Sequence, residues 1–221
     1  MAIATFSFVA AALLVASAGA MTDNSATVLS KAMKTMVASD FVYEPLVKNS
    51  DVNSSLSQPR MVEQWKALEG QGIAQSYFKL GACSLRPPHV HQFAAGLLYV
   101  ISASNLSVGF VTNNGTAVTN YISTGASTLF PQGLIHYQQN LGCNTATYTI
   151  SYNSENPGTQ VVVPALSKLP VFGASLGLDA NSSKSAMSSV PAAPFVDSSD
   201  PLCVARCKLS GPVPAAAVGG R

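Results

Sequence analysis

An all-β fold, a barrel or sandwich of short strands with short helices flanking it at the N- and C-terminal ends, is what this sequence predicts. Three observations predict it. From about residue 73 to residue 163, eight short segments rich in β-branched and aromatic residues follow one another, separated by turn signals such as Asn113-Asn114-Gly115. Short strands at such regular spacing belong to sandwiches and barrels. His89 and His91 stand two apart, so on a strand both rings point to one face. Charged residues make up only 10% of the 221 and hydrophobic ones 48%, which suits one domain with appendages and a sizeable core. The net charge of +2 comes with no basic run, so neither nucleic-acid binding nor electrostatic docking to a membrane is expected.

Residues 1–20, "MAIATFSFVAAALLVASAGA", are apolar and uncharged and end in small residues, with Ala18 and Ala20 in an A-x-A pattern. This is the pattern of a signal peptide cleaved after Ala20, and it predicts a secreted, extracellular protein with no membrane association after cleavage. An N-terminal extension follows over 21–60. Val28, Leu29, Ala32, Met33, Met36 and Val37 recur at helical intervals, predicting a helix over 25–37. Residues 38–60 are rich in turn formers and read as loop. The strand-bearing barrel is expected over 61–178, with strands at 73–80, 97–102, 106–112, 117–123, 126–130, 134–140, 145–152 and 160–163. Residues 179–221 form a Ser/Ala/Pro-rich tail, with a weak helix near 181–188 and loose order from 189 onward.

Secretion changes how two residue types read. Asn53, Asn105, Asn114 and Asn181 each begin an N-x-S/T sequon without proline, marking glycosylation sites on exposed loops. Cys83, Cys143, Cys203 and Cys207 are an even number in an oxidising compartment, which predicts disulfides. Three pairings are open. If the segments around Cys83 and Cys143 are adjacent strands, those two pair, and Cys203 closes a small loop with Cys207. The spacings do not form the two C-x-x-C hooks of a zinc site.

His89, His91 and His136 are the only histidines, and between Glu69 and Glu155 there is no Asp or Glu. "GASTLFPQGLIHYQQN" carries Gly125, Pro131, Gly133, His136 and Asn140 in the spacing G-x5-P-x-G-x2-H-x3-N. "PPHVH" opens a second pattern whose full form is HxH-x4-E-x6-G. These segments resemble the two motifs of the cupin family, and "LSVGFVTNNG" and "SENPGTQ" resemble its secreted germin-like and spherulin-like members. The resemblance covers residues 60–175 and implies a cupin jelly-roll β-barrel.

It further implies that His89, His91 and His136 are ligands of a divalent metal, commonly manganese in the family. The family's fourth ligand, a Glu, falls at Gly96, so one coordination position is expected to be vacated there. Three neutral imidazoles leave the full metal charge in place and suit zinc, copper or iron better than manganese. A small anionic ligand is then expected at the vacated position. Asn140 is a candidate pocket residue or a tie between strand and loop, and Arg86 could attract an anion, although an exposed Arg is the default. Phe93, Tyr99, Phe110, Phe130 and Tyr148 are expected in the core, and Trp65 as a packing anchor.

Two functions follow from the resemblance. One is a metal-binding extracellular, cell-wall or spore-coat protein with weak or no catalysis. The other is a metal-dependent oxidoreductase of the oxalate oxidase or superoxide dismutase type, against which the missing Glu argues. Homo-oligomers and cell-wall association are further implications. Nothing in the sequence assembles a Ser–His–Asp triad or a paired carboxylate, so hydrolysis by those routes is not expected.

Overall fold

The computed structural model describes residues 35–44, 55–191 and 194–209. The expected signal peptide (1–20), nearly all of the expected helix (25–37) and Asn53 lie outside the described residues. From Val37 onward the described residues belong to one compact unit.

Among the described residues ten strands build two antiparallel sheets. In chain order they are β1 (Leu56–Arg60), β2 (Ala74–Leu80), β3 (Leu85–His91), β4 (Gly96–Ser102), β5 (Leu106–Val111), β6 (Ala117–Ile122), β7 (Ser127–Phe130), β8 (His136–Asn140), β9 (Ala146–Tyr152) and β10 (Thr159–Val161). One sheet has the order β1-β2-β9-β4-β7 and the other β10-β3-β8-β5-β6. This is the expected all-β jelly-roll barrel. The sequence alternates along β2, β8 and β9, and every second residue is buried, because successive side chains on a strand face opposite sides. The inward sets meet between the sheets, where Phe78, Leu80, Leu98, Val100, Leu106, Val108, Phe130, Tyr148 and Ile150 form the core. The rings of Phe78 and Tyr148 stack with centroids 5.1 Å apart.

The same alternation corrects two expectations. Tyr99 lies on the outward parity of β4 and is half exposed, and Phe93 lies in the β3–β4 turn and is exposed. Phe93 instead packs across Gly158, whose φ of +66° and missing Cβ admit the ring; a Cβ there would come within 2.5 Å of it. Trp65 is an anchor as expected: its indole donates to the Asp40 carbonyl at 2.7 Å and its ring meets Tyr43.

Two segments read as loop are ordered. Residues 38–41 form a 3₁₀ turn, and β1 pairs with β2 along its whole length. β1 is an edge strand, so Pro59 breaks no ladder on its open side, and pairing overrides weak local propensity. The expected strand over 160–163 stops at Val161, where α1 (Val162–Leu166) begins; Pro164 in its first turn cannot continue a ladder. Helices α2 (Phe172–Ser175) and α3 (Ala180–Ser188) follow, the latter capped by the Asp179 side chain on the Ser182 amide.

The tail corrects the sequence reading most. Val196 forms a two-way backbone bridge with Leu85, and α4 (Pro201–Cys207) opens with an Asp200 cap and Pro201 in the first turn. Cys203 and Cys207, four residues apart, lie on one helix face. Cys83 and Cys143 do become neighbours, but they do not pair with each other. The disulfides are Cys83–Cys203 and Cys143–Cys207, with Cα–Cα distances of 5.5 and 5.2 Å. The helix therefore staples both loops at one end of the barrel.

Candidate metal centre

β3 and β8 are paired antiparallel with His89 directly opposite His136. His91, two residues along β3, shares the face of His89. All three rings lie inside the barrel, none more than 2% exposed. Their centroids are 4.2 Å (His89–His136), 5.0 Å (His91–His136) and 5.3 Å (His89–His91) apart. One ring nitrogen of each lies within 4.8 Å of the other two.

For two of the three rings the hydrogen bonds fix which nitrogen is free. Nδ1 of His89 donates to the Pro87 carbonyl and Nδ1 of His136 to the Leu134 carbonyl, both at 2.8 Å. A carbonyl only accepts, so both rings carry their proton on Nδ1 and keep a lone pair on Nε2. Nδ1 of His91 is 3.0 Å from Thr159 Oγ1 on the neighbouring β10. Nε2 of His91 and Nε2 of His136 are buried with no hydrogen-bond partner. Buried ring nitrogens without a partner are unusual and call for a ligand. Burial lowers all three pKa values by opposing the charged form. For His89, with the Arg86 charge as second cause, the value falls well below the usual 6.5; for His91, with the His136 and Arg86 charges adding, to about 3; for His136, to about 4. All three are neutral near pH 7, as metal ligation requires. Donor type, protonation and convergence fit a divalent metal.

Arg86, named from the sequence as a residue that could attract an anion, lies deeper than expected. Its expected place was solvent, yet it is 6% exposed. The cause is a register shift between Arg86 and His89, where Pro87 and Pro88 of β3 oppose the single Tyr137 of β8. Pro87 and Pro88 supply no N–H to the ladder there, and the bulge turns Arg86 to the same side as His89 despite the odd spacing. The consecutive prolines were the available signal. Nε of Arg86 donates to His89 Nε2 at 3.2 Å, and its guanidinium lies 4.7 Å over the Phe78 ring and 5.5 Å from that of Phe195. Among the described residues no carboxylate pairs with it. Sequence reasoning missed Gln138. It lies two residues from His136, so it shares the inward face, and both its amide atoms are buried without partners.

Two expectations change. The position at Gly96 is not an open seat. Gly96 stands opposite both Phe130 and Tyr152, and a Cβ there would meet Ile150 Cγ2 at 3.1 Å and the Tyr152 ring at 3.5 Å. Phe130 stacks on His136 with centroids 4.4 Å apart, and Tyr152 meets His91 edge-on at 4.8 Å. Aromatic rings wall the histidines where a carboxylate was expected to be missing. Asn140 is no pocket residue: its amide donates to the carbonyls of Leu80, Gly81 and Asn144, and its oxygen accepts from the Gly142 amide. It ties strand to loop at the far end of β8.

Comparison with known proteins adds the following. A family model described as Cupin matches residues 46–184. Germin-like protein 1-3 of Oryza sativa subsp. japonica is 31% identical over 139 residues, 62% of each chain. Spherulin-1B of Physarum polycephalum is 28% identical over 148 residues, covering 66% of this chain and 59% of its own length. The match thus spans about three fifths of the length of these relatives. A solved structure of recombinant oxalate oxidase in complex with glycolate superposes with a TM-score of 0.64 over 71% of this chain and 83% of that one, at 24% identity, which speaks to the fold.

Proposed function

The chain belongs to the cupin family, and on that premise we propose that it is a secreted, metal-binding extracellular protein with weak or no catalysis. Its His89, His91 and His136 hold one divalent metal. The observation that carries this reading is the convergence of three neutral imidazoles, with Nε2 of His91 and Nε2 of His136 unmatched by any partner. When bound, the metal supplies Lewis acidity, and a redox couple if it is iron, copper or manganese. Arg86 must release His89 Nε2 for the third nitrogen to ligate, and it then becomes free to hold an anion.

The lack of proton-transfer groups argues for weak catalysis. The barrel between Glu69 and Glu155 carries no carboxyl group. Burial pushes the Tyr152 phenol up to about 12 and that of Tyr148 further, so neither exchanges protons near neutral pH. Secretion is supported by the two disulfides and by the similarity to germin-like proteins. Asn105, Asn114 and Asn181 are exposed, as glycosylation requires.

Elemental analysis of the protein, secreted and purified without added metal, tests the reading. Close to one equivalent of zinc, copper or iron is expected, with peroxide release from oxalate at background. Stoichiometric manganese alone, with rapid oxalate turnover, would replace it with the oxidoreductase reading.

A further inference from the structure

Beside the histidines, a cavity of about 440 Å³ lies between the two sheets on the side of edge strands β1 and β10. Its apolar walls are Pro59, Met61, Phe78 and Pro194, and Arg86 lines it from β3. Ser76 and Tyr152 also line it, and their buried hydroxyls face each other with no other protein partner. Glu63 and Asn156 are exposed lining residues that mark the mouth.

This composition selects a ligand class. A buried guanidinium with no carboxylate partner is costly and is satisfied by an anion that accepts in its plane. There is one such cation, so a single negative charge is balanced and a second is not. The rest of the wall is apolar, and the volume falls in the range that encloses a small organic molecule. We propose that this cavity binds an amphipathic monocarboxylate, an aryl- or alkyl-carboxylic acid. Its carboxylate lies on Arg86, with the Ser76 and Tyr152 hydroxyls as further donors, and its apolar body lies along Pro59, Met61 and Pro194. The proposal deepens the anion-binding part of the preceding reading, but it needs no metal.

The full protein, dialysed against EDTA, is titrated with phenylacetate, hexanoate, 2-phenylethanol and oxalate by calorimetry and ligand-observed NMR. Saturable binding of phenylacetate and hexanoate is expected, at least ten times tighter than that of 2-phenylethanol or oxalate. Arg86→Met removes a buried charge without polar replacement, and it is expected to fold with an unchanged or higher Tm and to bind phenylacetate at least tenfold more weakly. Met61→Trp fills the wall and is expected to exclude phenylacetate while keeping Arg86. Phenylacetate that fails to bind the parent protein, or binds Arg86→Met equally well, overturns the proposal. So does an alcohol that binds as tightly as the acid. Metal content, measured separately on untreated protein, fails or holds independently of this outcome.

Discussion

The two ends of β3 and β8 are built by opposite rules. At the end near Leu85 and Asn140 the Asn140 side chain makes four hydrogen bonds to backbone groups, and two disulfides bind the loops to α4. From the middle of β8 to the other end of the same strands, both amide atoms of Gln138, Nε2 of His136 and Nε2 of His91 are buried with no partner. A fold tolerates such a deficit only where the rest of the domain over-determines the structure. The stapled end supplies stability, and the histidine end carries the unmatched polar atoms.

Breaking the stapled end should have the largest effect. The Cys83–Cys203 bridge spans 120 residues of sequence, and the chain-entropy model assigns such a closure about 4–5 kcal/mol. The double variant Cys83→Ala/Cys203→Ala should lose about that much in urea unfolding, while its folded fraction keeps its metal. A loss of metal at full foldedness would show that the two ends are coupled.

Acid should act on the opposite end. The histidine pKa values are depressed on folding, from 6.5 to about 3 for His91 and about 4 for His136. The unfolded chain therefore binds protons first as pH falls. In metal-stripped protein the stability contributed by neutral imidazoles is complete above about pH 6.5 and drains away toward pH 3–4, by up to ~1.4 kcal/mol per pH unit for each histidine. Urea midpoints measured from pH 7 to pH 4 should fall along this course, and His136→Ala should flatten it. A midpoint indifferent to pH would mean the rings are solvated.

The smallest effect sharpens the comparison at Gly96. Gly96→Glu would restore the carboxylate of the family motif, but its Cβ falls 3.1 Å from Ile150 Cγ2. Overpacking of this kind costs about 1–3 kcal/mol. Gly96→Glu should lower Tm, and Ile150→Val should recover part of the loss. A Gly96→Glu variant as stable as its parent would show that the aromatic wall yields easily.

These differences also mark what the sequence could reveal. Period-two alternation places the core of β2, β8 and β9, and it brings His89 beside His91. The spacing around His136 carries the motif that sets the third ring against them. Arg86 defeats the same reasoning, because the Pro87–Pro88 bulge shifts the parity and turns an expected surface cation inward. Asn140 matches its motif position, but the choice between pocket and tie depends on the Leu80, Gly81 and Asn144 carbonyls, which are distant in sequence or in another loop. The disulfide pairing depends on α4 docking against loops more than sixty residues away, a tertiary fact with no local signal beyond the i, i+4 spacing of Cys203 and Cys207. β1 was hidden because its strand character comes from pairing with β2.

The central claim is that the three histidines form one ligand set. Anomalous diffraction at the absorption edge of whichever metal the secreted protein carries tests it most directly. The account predicts a single peak bonded to Nε2 of His89, His91 and His136, with Arg86 turned away from His89. Metal-loaded crystals in which the peak lies elsewhere, or in which Arg86 still holds His89 Nε2, would contradict it.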